Sequence, residues 1–305
     1  MKNTLPSGVT VLERGWLSSN NVLCTGRDAT AVVDSGYFLH QQQTVALVQQ
    51  ALGVRTLDLL VNTHLHSDHC GGNAALQQNY PDLHTAIPPG QALLVADWDP
   101  VALSYTPTGQ HCPRFSFDST LVPGSSVALG DQIWQVFCAP GHDPNAVVLF
   151  EPISRTLISG DALWQNGFGV IFPELEGESG FAEVAATLDL IETLEPQIVI
   201  PGHGPMFSEI QDAIALARKR LDGFVRDPRK HALHAGKVLV KFKLLEVQRM
   251  AEAELLTWAR ATHYFTNVHH RYFSETQDAA WIASLVDDLV RSGAARRTGN
   301  DVLNA

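Results

Sequence analysis

Short apolar runs separated by turn residues dominate the first 90 residues and predict β-strands. The first three runs are broken by serine, asparagine and glycine, which favours an antiparallel meander. The run Asp58–Asn62 is apolar without polar alternation and predicts a buried strand. Glutamine and leucine at helical spacing before Gly53 predict a helix. The predicted elements are strands at 9–13, 21–24, 30–34, 58–62 and 83–87, with helices at 39–52 and from 73 to about 80.

A second β-rich group begins at residue 132 and is again followed by helical periodicity. Two β-rich halves, each followed by helices, predict an α/β fold: an αββα sandwich, in which helices cover the outer faces of two packed sheets. The predicted elements are strands at 132–138, 146–150, 156–159 and 197–201, and helices at 180–195, 208–226, 236–261 (as two helices) and 279–291.

Two regions are harder to interpret. Residues 97–125 carry prolines and aromatics without periodicity, which predicts a long loop over one face, either a functional lid or a surface excursion. Residues 1–228 are expected to form the main domain and 229–305 a mostly helical C-terminal module. Three helices and a hairpin-like end at 296–299 make this module winged-helix-like; a helical cap or dimerisation module is the alternative.

Composition and charge exclude some classes of protein. A hydrophobic content of 45% and a charged content of 17% over 305 residues are globular values. The net charge of −11 argues against general affinity for nucleic acid or an anionic membrane. Residues 229–305 hold 11 Lys+Arg and 8 Asp+Glu, a net of +3, so this module alone is mildly basic. The segment 1–8 has no apolar core of a signal peptide, and a cytoplasmic protein is expected.

The stretch Asn62–Gly72 concentrates metal-binding side chains. His64, His66, Asp68 and His69 fall within six positions, directly after a predicted strand and before a helix. Imidazole and carboxylate groups together suit zinc or iron. We therefore predict a metal site on this strand-to-helix loop, with Cys70 as a neighbour rather than a ligand.

Three later strand ends carry further candidate ligands. His142 follows Pro-Gly, Asp161 follows Ser-Gly, and His203 lies between two glycines. Glycine at such positions permits sharp turns and close backbone approach. Four loops of this kind along one chain indicate a shared site.

These motifs resemble those of the metallo-β-lactamase superfamily of metallohydrolases. The matching segments are His64-Leu-His66-Ser-Asp68-His69, Pro140-Gly141-His142, Gly160-Asp161 and Gly202-His203-Gly204. The resemblance implies two divalent metal ions, zinc first, with iron or manganese as alternatives. It implies that His64, His66 and His142 hold the first metal, that Asp68, His69 and His203 hold the second, and that Asp161 bridges them.

The same resemblance implies hydrolysis by a metal-bridging hydroxide, since two cations lower the pKa of a shared water to about 7 or below. Asp68 would both bind metal and orient the hydroxide. The run around Gly71-Gly72-Asn73 looks like that of glyoxalase II-type thioesterases, so a small ester or thioester is the expected substrate, as in hydroxyacylglutathione hydrolase. Trp164 and Phe168 are expected either to line its pocket or to pack in the core.

Alternatives within the superfamily remain open. Asp161 disfavours a true β-lactamase, and the absence of tyrosine soon after it makes a lactonase less expected. A mononuclear-iron persulfide dioxygenase and an endoribonuclease or phosphodiesterase are the other candidates, although nucleic acid is not the favoured partner. A homodimer is possible. Lys237, Lys241 and Lys243 either contact an anionic substrate or form a solvated helix face.

Overall fold

Two β-sheets packed face to face form the centre of this computed structural model, which describes residues 4–305. Met1–Asn3, the start of the segment in which no signal peptide is expected, lie outside the described residues. The first sheet has six strands in chain order, and five helices follow its strands. Its strands are β1 (Val9–Leu12), β2 (Asn21–Thr25), β3 (Thr30–Val33), β4 (Leu59–Val61), β5 (His84–Ile87) and β6 (Ser119–Thr120), and its helices are α1 (Gln41–Leu52), α2 (Ser67–Cys70), α3 (Asn73–Asn79), α4 (Ala92–Asp97) and α5 (Tyr105–Thr108).

The second sheet runs in the order β11-β10-β9-β8-β7, mostly antiparallel, with β10 and β11 parallel. Helices α7 and α8 pack on its outer face. Its strands are β7 (Ser126–Leu129), β8 (Gln132–Cys138), β9 (Val147–Glu151), β10 (Thr156–Gly160) and β11 (Ile198–Pro201), and the associated helices are α6 (Phe172–Glu176), α7 (Phe181–Leu194) and α8 (Ile210–Arg226).

Alternation along the strands builds the layers, because successive side chains point to opposite faces of a sheet. In β3, Val33 faces the second sheet, in one core with Trp134 and Leu149. Its neighbour Val32 faces outward, in a core with Val48 of α1. Strands buried on both faces read as continuous apolar runs, which is why β2 and β3 show little polar alternation. The αββα sandwich predicted from the sequence is confirmed.

The C-terminal part consists of helices and a small three-stranded antiparallel sheet in the order β12-β14-β13. Its core also includes Val170 and Leu175, so it packs directly against the sandwich. The division at residue 228 and the winged-helix assignment stay predictions. The elements are α9 (Pro228–Val247), β12 (Arg249–Ala251), α10 (Glu252–Ala261), α11 (His263–Tyr272), α12 (Asp278–Arg291), β13 (Ala295–Thr298) and β14 (Asp301–Asn304).

The structure corrects several elements. The helix predicted to begin at 236 begins at Pro228, because proline is favourable in the first helical turn as well as after a helix end. Gly236 lies inside α9, where a Cβ atom would be 3.0 Å from Leu285, so it serves close helix packing. Helix α11 escaped prediction since its aromatic and β-branched residues have modest helix propensity; burial of Phe265 and Val268 stabilises it.

The meander β1-β2-β3 is antiparallel as predicted. Strand β7 was missed, although Gly130, with φ of 61°, makes a two-residue turn into β8. The predicted loop 97–125 is mainly irregular but contains α5 and the edge strand β6. Within residues 4–305, no helix combines the length and apolarity that crossing a membrane requires.

Leu221→Ala in α8 tests the packing of this helix on the second sheet. Leu221 is 5% exposed and lies in the outer core, the apolar cluster between the second sheet and helices α7 and α8. Leu216 of the same helix is 43% exposed. We expect Leu221→Ala to lower the free energy of unfolding by about 2–5 kcal/mol, from lost burial and a residual cavity. Leu216→Ala should change it by about 0.5 kcal/mol or less. Equal effects in urea denaturation would contradict this packing.

His231 in α9 predicts a pH dependence of stability. Its Nε2 accepts a hydrogen bond from the Ile171 backbone N–H at 3.1 Å, and burial, reinforced by Arg220, lowers its pKa from 6.5 to about 4. Above pH 6.5 the ring is neutral in both states. Between pH 6.5 and 4 the unfolded chain takes up a proton that the folded chain does not, so stability falls as pH falls.

His231→Gln retains an acceptor but does not titrate. We expect the loss of unfolding free energy between pH 7 and 4 to be smaller in this variant than in the wild type, by about 1–3 kcal/mol. The exposed His270→Gln serves as the matched control. Identical pH profiles for wild type and His231→Gln would show that His231 does not titrate differently in the two states.

Candidate metal centre

Parallel strand pairing brings the ligand-bearing loops to one edge. β3 and β4 are parallel neighbours, so Asp34 and the loop that holds His64 emerge side by side. β10 and β11 are likewise parallel, and Asp161 and His203 follow their carboxyl ends. His66 ends the β4 loop and precedes the short helix α2, which carries Asp68 and His69.

The structure brings all seven predicted ligands together. They form three overlapping groups, in each of which one ligand atom per residue lies within 4.8 Å of the others. His64 and His69 are shared between groups, which makes the cluster continuous. The groups are His64/His66/His142, His64/His69/Asp161 and Asp68/His69/His203.

Hydrogen bonds orient three of the five histidine rings, each through its Nδ1 atom. His69 Nδ1–H donates to Asp34 Oδ2 at 2.8 Å, and His142 Nδ1–H donates to the Val170 carbonyl at 2.5 Å. The Thr63 hydroxyl donates to Asp34 Oδ2 at 2.8 Å and accepts from His64 Nδ1–H at 3.0 Å. Such contacts set the tautomer and orientation of metal-binding histidines.

The remaining nitrogens face the centre of the cluster. His64 Nε2, His69 Nε2 and His203 Nδ1 are buried and have no hydrogen-bond partner within the described part of the chain. His66 Nδ1 and His142 Nε2 lie 2.8 Å apart. Buried polar nitrogens without a partner are costly, and a divalent cation would satisfy them. The donor set therefore fits one or more divalent metals.

The charge states favour this interpretation. Burial lowers the pKa of His66 and of His142 to about 4, and lowers that of His64 well below its ordinary value. Neutral imidazole is the form that binds metal. Burial alone would lower the pKa of His69, but Asp161 and Asp34 outweigh it and hold that pKa well above its ordinary value. A metal at His69 Nε2 therefore displaces a proton.

Asp161 lies among the rings. Its Oδ1 is 3.3 Å from His69 Nε2, and its Oδ2 is 3.5 Å from His142 Nε2. Burial would raise its pKa, but His203, His69 and His142 outweigh that and hold the pKa well below the usual range. Gly202 is required for this approach, because a Cβ atom there would lie 2.2 Å from Asp161 Oδ1.

A cavity of about 540 Å³ opens onto the cluster. His66, Asp68, His142, Asp161 and His203 line one part of it, and the helix α9 lines another. The loop 97–125 contributes Ser104, Thr108 and Gln110, so this segment reaches the cavity.

The sequence left open whether Trp164 and Phe168 line the pocket or pack in the core, and both border the cavity. Trp164 Nε1–H donates to Asp161 Oδ1 at 3.1 Å, and Phe168 lines the cavity while it packs in the outer core. Cys70 points away from the cluster, towards Tyr105 and Cys112.

Sequence reasoning missed three residues at this site. Asp34 orients His69 and Thr63; the signal available was an acid at the end of the buried strand next to the histidine-bearing one. Trp16 stacks on His203 with ring centroids 5.5 Å apart, and nothing in its surroundings along the sequence marks it. Arg220 lines the cavity from α8, and its signal was a charge at the helical spacing of buried residues.

Comparison with known proteins agrees with this geometry. Residues 14–203 match the sequence profile of the Metallo-beta-lactamase superfamily. Nitric oxide reductase of Moorella thermoacetica is 28% identical over 141 residues, which are 46% of this chain; the chain spans only 32% of the reductase. Hydroxyacylglutathione hydrolase of Rhodospirillum rubrum is 26% identical over 70% of this chain and 68% of its own length.

The fold, the metal-binding cluster and the profile match over more than half of the chain define its class: this chain belongs to the metallo-β-lactamase superfamily. A metallo-beta-lactamase family protein from Thermus thermophilus superposes with a TM-score of 0.58 at 15% identity. That similarity covers 99% of this chain and 100% of the other, so the shared fold includes the C-terminal helices.

Asp34→Asn tests the support of His69. Asparagine tolerates the φ of 60° at this position but lacks the negative charge that holds the imidazole. We expect metal affinity to fall by about 10- to 100-fold, as for other partners of ligating histidines. Competition with a chromogenic chelator measures it. Asp189→Asn, on the exposed face of α7, is the control; unchanged affinity in Asp34→Asn would contradict the role of Asp34.

Proposed function

We propose that this protein is a metal-dependent hydrolase of small esters or thioesters. The observation that carries the proposal is the convergence of seven ligand-capable side chains at the wall of one cavity. We assign His64, His66 and His142 to one metal, Asp68, His69 and His203 to a second, and Asp161 to both.

When bound, two divalent cations supply a Lewis acid for the substrate oxygen and a hydroxide at neutral pH. The side chains of the protein provide the remaining catalytic functions. Asp68 faces the cavity, and its Oδ2 accepts a hydrogen bond from His203 Nε2 at 3.1 Å. Burial would raise the pKa of Asp68, but its contacts with His203 and His69 outweigh this and lower the pKa. We assign Asp68 the role of orienting the attacking water and accepting its proton.

Aromatic rings lie beside two of the candidate ligand histidines. Trp16 and Trp164 meet edge to face at 5.3 Å beside His203, and Phe172 lies 5.0 Å from the His66 ring. Such a lining offers apolar contact to an acyl group. A thiolate leaving group needs no general acid, and this chemistry suits a site whose acidic side chains are all held by histidines.

The hydroxyacylglutathione hydrolase of Rhodospirillum rubrum supports a thioester, since it is similar along most of both chains. The alternatives are separate outcomes of one substrate panel. Lactone opening, cleavage of single-stranded RNA or a phosphodiester, and oxygen uptake with a persulfide would each replace the thioesterase assignment.

Metal analysis followed by chelation tests the proposal. We expect two divalent metals per purified chain, and thioester hydrolysis that is lost with chelator and restored by added metal. Asp68→Asn should lower kcat/KM by about 100- to 10,000-fold, because the proton acceptor is removed. The exposed Asp82→Asn is the control and should retain wild-type activity. Hydrolysis that survives metal removal, or an active Asp68→Asn, would contradict the mechanism.

A further inference from the structure

Arg220 is a partly buried cation in the cavity wall, away from the metal-ligand loops in sequence. It projects from α8 between the buried residues Ala217 and Phe224. Its guanidinium lies over two rings, 5.4 Å from the centroid of Phe168 and 5.5 Å from that of Phe224. Gly167 makes room for it, because a Cβ atom there would lie 2.6 Å from Arg220 Nη1. The guanidinium is thus held in a fixed position.

No carboxylate within residues 4–305 neutralises this charge at ion-pair distance. Arg220 Nη2–H donates instead to His234 Nε2 at 2.6 Å. Burial, with help from Arg220, lowers the pKa of His234 to about 3, so the ring is a neutral acceptor at neutral pH. Arg218, on the same helix, contrasts with this: it contacts Asp189 and Glu192 at 2.7 and 2.8 Å.

The lysines of the same wall have partners of their own. Lys237 lies 3.5 Å from Asp288, and Lys241 donates to the Ala294 carbonyl and to Asn304 Oδ1. The acids that line the cavity, Asp68 and Asp161, belong to the metal-ligand cluster. Lys237 faces an acid and Lys241 has three oxygen acceptors, whereas Arg220 donates through Nη2 alone within residues 4–305. Arg220 is therefore the cavity cation with neither an acidic partner nor a full set of acceptors, which is unfavourable without a ligand.

A planar guanidinium with a free edge matches carboxylate and phosphate oxygens in a bidentate arrangement. The apolar part of the cavity wall includes Val238, Phe242 and Leu245. We propose that Arg220 binds an anionic group of the substrate, a carboxylate or a phosphate, carried at the end of an apolar segment whose other end is the scissile ester or thioester. This inference rests on the hydrolase function proposed above for the same cavity.

Paired substrates test the inference. One series consists of S-acetyl ω-mercaptoalkanoic acids of increasing chain length; the other consists of the matching carboxamides, which differ only in charge. At the best length we expect the wild type to prefer the acid. In Arg220→Gln the KM for the acid should rise by about 10- to 100-fold, the range for losing a hydrogen bond to a charged group. The carboxamide should be hydrolysed as by the wild type.

Two further variants and two control measurements complete the test. Arg218→Gln removes a cation from the same helix outside the cavity and should keep the preference for the acid. Arg220→Lys keeps the charge but loses the planar fork, and should lose part of the preference. Metal content and the thermal unfolding midpoint verify that each variant is folded. An unchanged preference in folded Arg220→Gln and Arg220→Lys would overturn the inference.

Binding separates this inference from the hydrolase proposal. Thioether analogues of the acids, the carboxamides and the corresponding phosphates cannot be hydrolysed, and calorimetry measures their affinity with and without metal. Tighter binding of either anion than of the carboxamide, lost in Arg220→Gln, supports the anion site even if no thioester is cleaved. The stronger of the two anions identifies the group. Equal binding of all three, with hydrolysis intact, would overturn the anion site alone.

Discussion

The carboxylate of Asp34 ties two loops of the metal centre into one unit. Asp34 Oδ2 accepts hydrogen bonds from His69 Nδ1 and from the Thr63 hydroxyl, and Oδ1 accepts one from the Thr63 backbone. Thr63 in turn holds His64. His69, which belongs to two of the three ligand groups, is thus oriented by Asp34 at the end of β3, the parallel neighbour of β4. Because strand pairing fixes where Asp34 lies, the fold itself sets the directions of the free imidazole nitrogens.

Burial makes this arrangement a site for cations. Burial lowers the pKa of His64, His66 and His142, so these rings are neutral, and His64 Nε2 has no hydrogen-bond partner within the described residues. The buried Asp161 carboxylate next to them is ionised, because His203, His69 and His142 hold its pKa well below the usual range. Both features are unfavourable in an empty site and favourable around divalent ions. Metal binding and stability of this edge are therefore linked.

The sequence predicted the layers and the ligand-bearing loops, because both leave local signals. Apolar runs mark the strands, and glycine beside His142, Asp161 and His203 marks turns that approach closely. The pairing of two residues that are distant in the sequence leaves no local signal. Asp34 and His69 are 35 positions apart, and only strand order makes them neighbours. Arg220 was visible as a charge in an apolar stripe, but its lack of an acidic partner required the structure.

The sandwich and the C-terminal helices contribute different residues to the cavity. The sandwich loops provide the candidate metal ligands, α8 provides the cation, and α9 provides Val238, Leu239, Phe242 and Leu245 of the apolar wall. His234, from α9, accepts one hydrogen bond from the guanidinium and does not neutralise its charge. A neutral partner is needed for this, because a carboxylate at that position would form an internal ion pair and remove the attraction for an anion. The cavity thus combines candidate metal ligands with a retained positive charge, and the anion site proposed for Arg220 would select a substrate by its charged group.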